Sequence, residues 1–299
     1  MRFEDICAVV VTYRYPYAEL EVLLEHVAGQ VGRLVVVDNN PDPDDAGQGA
    51  LQSRMPDIQW IVNRANLGLS RALNQGLEAA IEAGARYAIL FDQDSRPEPG
   101  MLERLVDASR SADASAALVA AWGPVIVDDR LRRPLPFIRF RGGWVLKHYP
   151  QPGAPGQVDT DMLITSGCLL DLAALKQIGP MDEAFFIDNI DLEWSFRARA
   201  AGFRLIGIPA AVLRHRIGDR VRPLPGTRRN ILVHGPLRQY HIMRNRIRLY
   251  WRGYVPLLWK VADVPRLIFK LVYFPLMVAP RLENLRMMLK GVRDGIAGR

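Results

Sequence analysis

Two carboxylates stand two residues apart where an apolar run ends. The segment Ala88-Ile-Leu-Phe-Asp-Gln-Asp-Ser95 passes from buried-strand character straight into Asp92, Gln93 and Asp94. Alternate residues of an extended segment point the same way, so Asp92 and Asp94 can aim at one point with Gln93 turned aside. Carboxylates leave water only when something positive meets them. Paired hard oxygen donors suit Mg²⁺ or Mn²⁺, with a substrate diphosphate completing the shell. Taken alone, the same spacing also describes a turn cap at Asp92 and a helix cap at Asp94 or Ser95.

Other residues carry chemistry too. Met181 to Trp194 holds five acids, Asp182, Glu183, Asp188, Asp191 and Glu193. They are candidates for taking a proton from a hydroxyl. Equally, carboxylates gather at helix N-termini because the dipole favours them there. Asp38 closes the run Val35-Val-Val-Asp38, either to bind a ligand or to form an Asx turn with Asn39 and Asn40 before Pro41. His215 ends a strand-like run in Val212-Leu-Arg-His-Arg-Ile-Gly-Asp219. Imidazole is compatible with Mn²⁺ beside oxygen ligands.

These residues need a scaffold. Ile6–Tyr13, Arg33–Asn40, Ile58–Asn63 and Tyr87–Asp94 read as strands. Residues 17–31 and 68–84 read as helices, the second closed by Gly84. This alternation predicts an α/β fold with a mainly parallel sheet and flanking helices. A helix over 102–109 and a strand over 117–127 should follow. Residues 130–156, rich in Pro, Gly and Arg, predict irregular loops, and 161–179 predicts strand, turn, helix. Residues 192–202 predict a helix and 203–215 one or two short strands. Residues 220–236 read as a mobile loop. From Arg238 onward, helical spacing is broken at Pro256, Pro265, Pro275 and Pro280. Ligands of open parallel sheets sit beyond the carboxyl ends of the strands, where Asp38, Asp92 and Asp94 would lie.

The chain has 299 residues and a net charge of +7, unevenly spread. From Arg214 onward stand 19 of the 39 Lys and Arg and four of the 32 Asp and Glu. That end is built to meet an anionic partner. Cys7 and Cys168 lie in apolar stretches, as reduced core thiols do, and Arg2, Glu4 and Asp5 stand where an apolar signal core would be. Both features predict a reducing, cytoplasmic setting.

The segments VVVDNN, NLGLSRALNQG, FDQDS, TSGCLL and FFIDNIDLEWSFRARAAGF occur in that order over roughly residues 5–220. With this ordered set the sequence resembles the family 2 glycosyltransferases, and more closely the bacterial rhamnosyltransferases of that family. The resemblance implies an inverting enzyme of the GT-A, Rossmann-like fold over residues 1–219, and the charge and helical spacing add a basic amphipathic helical region over 220–299. It implies a nucleotide-sugar donor, dTDP-L-rhamnose, and a hydroxyl acceptor on a surface polysaccharide or its lipid-linked precursor. Asp92, Asp94 and His215 would hold Mg²⁺ or Mn²⁺. Thr12, Tyr13, Asp38, Asn66, Asn74 and Gln93, with the two aspartates, would contact the nucleotide. Asp191 falls at the family's base position, with Asp188 as its competitor, because D-N-I-D departs from the acidic pair of many relatives. Gly167 would let backbone approach a sugar, or merely turn a corner.

Two other readings share some features. A sugar nucleotidyltransferase also sets acids on an α/β sheet, but it needs a glycine-rich basic loop after the first strand, and here that place reads TYRYPYAEL. A non-catalytic membrane scaffold has no need of the acids. Between Tyr240 and Tyr273, Trp and Tyr interleave with Arg and Lys, and no uninterrupted apolar stretch is long enough to span a bilayer. This composition predicts a peripheral helix on an anionic inner membrane face. The alternative is a basic face whose apolar side packs on the catalytic unit or on a second copy of the chain. No nucleic-acid-binding pattern accompanies the charge.

Overall fold

The computed structural model describes residues 2–112, 118–128, 130, 131, 133–216, 218, 220–223 and 230–298. The opening third follows its hydropathy. β1 (Phe3–Thr12) and β2 (Val31–Asp38) are buried on both faces and joined by α1 (Tyr17–Ala28), which buries Leu20, Leu23, Leu24 and Val27. α2 (Asp45–Arg54) was not expected, since its glycines dilute the apolar stripe. Asp44 starts it by accepting from Gly47 N at 3.1 Å. β3 (Gln59–Val62), α3 (Leu69–Glu82) and β4 (Tyr87–Asp92) complete the first half of the sheet.

The second half is less regular. β5 (Arg96–Pro97) and α4 (Met101–Ala112) lead to β6 (Val119–Val127). The sequence starts that strand at Ala117, which lies outside the described residues. β7 (Phe137–Arg141) and β8 (Trp144–His148) form a hairpin where loops were expected, turned by Gly142 and Gly143 at positive φ. β9 (Val158–Thr160), β10 (Leu169–Asp171), α5 (Leu172–Ile178), a single 3₁₀ turn (Glu183–Phe185) and α6 (Ile190–Ala200) follow. Over 161–179 the turn precedes the strand, reversing the expected order. β11 (Arg204–Arg214) is one strand, its register shifted between Ile208 and Val212 around Pro209.

The principal sheet runs β3-β2-β1-β4-β10-β6-β11-β5, with β9 paired to β11. β1, β2, β3 and β4 pair in parallel, as do β6 and β11, while β10 runs antiparallel between β4 and β6. Register sets Thr12 beside Asp38 and Val11 beside Asp92, so the chemistry-bearing residues share one edge.

β12 (Arg220–Pro223) and β13 (Asn230–Val233) form a ribbon within the stretch read as a mobile loop, of which 224–229 lie outside the described residues. α7 (Pro236–Trp251), α8 (Leu257–Met277) and α9 (Arg281–Ile296) end the chain. α8 continues through Pro265 and Pro275, which the sequence reads as breaks. The closing helices have a small core of their own around Met243, Leu267, Phe274 and Met288. They also send Leu249, Val255 and Trp259 into the core under the sheet.

Candidate active site

Asp92 ends β4, and Ser95 N donates to Asp92 O at 3.0 Å, closing the turn that carries Asp94. Ser166 supports this turn. Its hydroxyl shares a 2.7 Å hydrogen bond with Ser95 and accepts from Asp92 N at 3.4 Å. Beyond the turn, β5 pairs antiparallel with β11, Arg96 facing Arg214. This short pairing brings His215, the next residue after β11, back to the acidic pair. Its Nε2 lies 3.3 Å from Asp92 Oδ2 and its Nδ1 3.2 Å from Asp94 Oδ1. Among the described residues that buried Nδ1 has no well-formed hydrogen-bond partner.

Electrostatics follow from this placement. Burial pushes the Asp92 carboxyl above the usual carboxylate range, and Asp94 adds to the rise against the opposing pull of His215 and Arg238. Burial works against charge on Asp94 and His215 as well. There their mutual attraction wins, holding Asp94 below its ordinary value and His215 above. Two carboxylates flanking an imidazole with an orphaned buried nitrogen form an O, O, N donor set that fits Mn²⁺ or Mg²⁺. Among the described residues no three acid, His or Cys side chains stand in ready-made coordination geometry. As they lie, the imidazole pairs with both carboxylates.

Gln93 turns away from the pair, as alternation requires. Its Oε1 accepts from Tyr13 N at 2.6 Å and from Thr12 Oγ1 at 3.2 Å, tying the β4 turn to the end of β1. Asp38 is fully buried, with its oxygens held by the Tyr17 hydroxyl and by Asn40 N and Nδ2. The Asx turn is therefore present, and the direct nucleotide contact expected of this carboxylate has to compete with it. Asn66 accepts from Asn39 Nδ2 and Gly68 N, both at 3.1 Å. Asn74 is buried, accepting from Met181 N at 2.9 Å and donating to Met181 O at 3.0 Å and to Glu183 Oε1 at 3.1 Å. Both amides, expected to contact the nucleotide, tie loops together here, Asn66 from an exposed position and Asn74 from a buried one. Arg71 is exposed.

The acidic segment separates into distinct roles. Glu193 is buried, bonded to Arg197 through two 2.8 Å contacts and to Tyr254 Oη at 2.6 Å. Asp188 pairs with Arg238 at 2.9 and 3.2 Å. Asp191, in the first turn of α6, accepts from Leu192 N at 2.9 Å, and among the described residues no side chain bonds it. Burial raises its carboxyl to about 6, helped by the charges of Asp188 and Asp92. It opens on a small pocket lined in part by Thr165, Cys168, Met181 and Trp194. Gly167 serves the corner. Its φ is +77°, and a Cβ there would lie 2.8 Å from Pro124 and 2.9 Å from Leu213.

Sequence reasoning expected a helix from Arg238 but missed that α7 holds the acidic segment. Arg238, Arg244, Asn245, Arg248 and, just beyond the helix, Arg252 all reach the 182–188 segment. The available signal was a set of polar residues, Gln239, Arg244 and Asn245, on a helix face that buries Met243.

The glycosyl transferase family 2 model matches residues 7–178. The dTDP-rhamnosyl transferase RfbF of Shigella flexneri is 30% identical over 300 residues, covering 98% of this chain and 96% of that protein. The crystal structure of GalNAc-T7 with UDP, GalNAc and Mn²⁺ is similar in fold at TM-score 0.59 and 11% identity, over 98% of this chain and 56% of that one. The S. aureus TarS 1–349 complex with UDP-GlcNAc gives TM-score 0.57 and 15% identity, over 99% and 81%. This chain thus spans little more than half the length of GalNAc-T7.

Proposed function

The chain belongs to glycosyl transferase family 2 and is a glycosyltransferase of the GT-A fold, and from that premise we propose that it moves a sugar from a nucleotide-sugar donor to a hydroxyl acceptor with inversion, Asp191 acting as base. The observation that carries the reading is Asp191 itself. It lacks a side-chain partner among the described residues, has a raised proton affinity, and senses the charge of Asp92 across the same sheet edge. Asp92, Asp94 and His215 would hold Mg²⁺ or Mn²⁺, which when bound neutralises charge on the departing diphosphate. Asp191 takes the acceptor hydroxyl proton as the acceptor oxygen bonds to the anomeric carbon. The bond from that carbon to the diphosphate oxygen breaks on the opposite face. Thr12, Tyr13 and Gln93 form the wall nearest the base and ribose, with Asp38 supporting it through Asn40.

The donor proposed is dTDP-L-rhamnose. Its support is the similarity to RfbF along nearly the whole chain. The acceptor proposed is a glycan or glycolipid hydroxyl. Residues 1–219 would supply the donor side, and 220–299 would close the acceptor side and meet an anionic membrane surface. The support for the membrane is α8. Leu257, Val261, Val264, Ile268, Val272 and Leu276 are exposed on one side of that helix, Leu257 to 74%, within a strongly basic region. Among the described residues no helix is long and apolar enough to cross a membrane.

The test is turnover of a panel of nucleotide sugars with and without Mn²⁺, comparing wild type and Asp191→Asn. The variant should bind dTDP as tightly as wild type and lose transfer by about 10²-fold or more. Normal turnover by Asp191→Asn removes the base assignment.

A further inference from the structure

The loop that delivers Asp191 is built against backbone preference. Phe186, Asp188 and Asn189 have φ of +60°, +65° and +64°, in the region non-glycine residues avoid. Such conformations persist only where the surroundings over-determine them. From one side α3 does this, with Leu69 N donating to Phe186 O at 2.6 Å and Asn74 holding Met181. From the other side α7 closes on the same loop. Asn245 Nδ2 lies 2.8 Å from each of the carbonyl oxygens of Phe185, Ile187 and Asp188. Arg244 Nη2 donates to Ala184 O at 2.9 Å and Phe185 O at 3.1 Å. His241 stacks on the Phe186 ring at 5.0 Å. Asn245 is fully buried. Three carbonyls converging on one point repel each other unless a donor stands there, so the loop's path depends on that amide.

We propose that Asn245, backed by Arg244, is a positioning residue for sugar transfer: its buried amide gathers three carbonyls of the strained loop and thereby sets where Asp191 meets the acceptor hydroxyl. The proposal rests on the reading of Asp191 as the base, and its test separates the two. In the full chain, Asn245→Leu keeps the size and removes the donor. Arg244→Lys and Asn245→Ser are milder companions in case the first does not fold. Three quantities are read: dTDP affinity, kcat and KM with donor and acceptor, and hydrogen exchange of amides 185–192 against the amides of β1 and β4.

The expected result is a kcat at least about ten-fold lower, dTDP affinity within two-fold of wild type, and faster exchange confined to 185–192. Should Asn245→Leu fail to fold, the same pattern, smaller, in Arg244→Lys and Asn245→Ser supports the proposal. Wild-type kcat and wild-type exchange in the folded variants overturn it. So does exchange that rises equally in β1 and β4, since that is a loss of general stability. Asp191→Asn, assayed alongside, judges the base independently: if it stays active, the base reading fails while loop exchange still decides whether Asn245 holds the loop.

Discussion

Asp191 differs from its neighbours by what it lacks. Glu193 has Arg197 and Tyr254, and Asp188 has Arg238, so each carboxylate is tied to side-chain partners. Asp191 has burial and like charge, which favour the protonated form. A base must be ionised, so activity should fall as pH drops through its pKa. That pKa is raised to about 6 in the free protein, and a divalent cation on Asp92 and Asp94 would draw it down. The acid limb of kcat/KM should therefore lie between the ordinary carboxylate value and about 6. A profile that stays flat down to about pH 4, near the unperturbed value for an aspartate, would show that another group takes the proton. At this scale the sequence was informative about residue types and spacing. The family resemblance favoured Asp191 over Asp188, but spacing could not show that Asp188 pairs with an arginine fifty positions away in α7.

At the scale of elements, α3 is a support for the acidic loop. Gly68 has φ +88°, and a Cβ there would lie 2.5 Å from the Phe186 ring. Gly68→Ala should therefore cost about 1–3 kcal/mol from the backbone alone. It should also push the loop off its seat at Leu69 N. Thermal unfolding should drop by several degrees, and kcat should fall more than donor affinity. Unchanged unfolding and kcat would mean that the loop does not need this close approach. Helical periodicity revealed α3 but not this duty, since a glycine at a helix start reads as a turn. β5 was illegible for a related reason. Two residues make no pattern, yet their pairing with β11 is what brings His215 to Asp94.

At the scale of the whole molecule, the basic end does two things. Several of its arginines face inward, Arg238 and Arg252 to the acids of the 182–188 loop and Arg244 and Arg248 to its carbonyls. The exposed side of α8 is what remains for a partner. Replacing Val261 and Ile268 together with Glu, in the full chain, should abolish flotation with anionic vesicles and leave turnover of a water-soluble acceptor unchanged. Flotation that persists, or a wild-type dimer in solution that this change dissociates, would assign the face away from the membrane. Deleting 238–299 is a poorer experiment, because it also releases the loop that carries Asp191.

The sequence by itself determined the α/β order of the first half, the sheet edge where Asp38, Asp92 and Asp94 gather, and the uneven charge. Each follows from local physics: period-two and period-3.6 burial, strand ends at polar residues, and composition. Tertiary structure alone decided that Asn74 and Asn245 spend their amides on one loop and that the basic end turns part of its charge inward; the place of His215 between two carboxylates was anticipated by the family resemblance and by no local pattern. These depend on which buried polar groups find partners across 60 to 123 residues of chain. No window of sequence contains both partners, so only the folded packing could pair them.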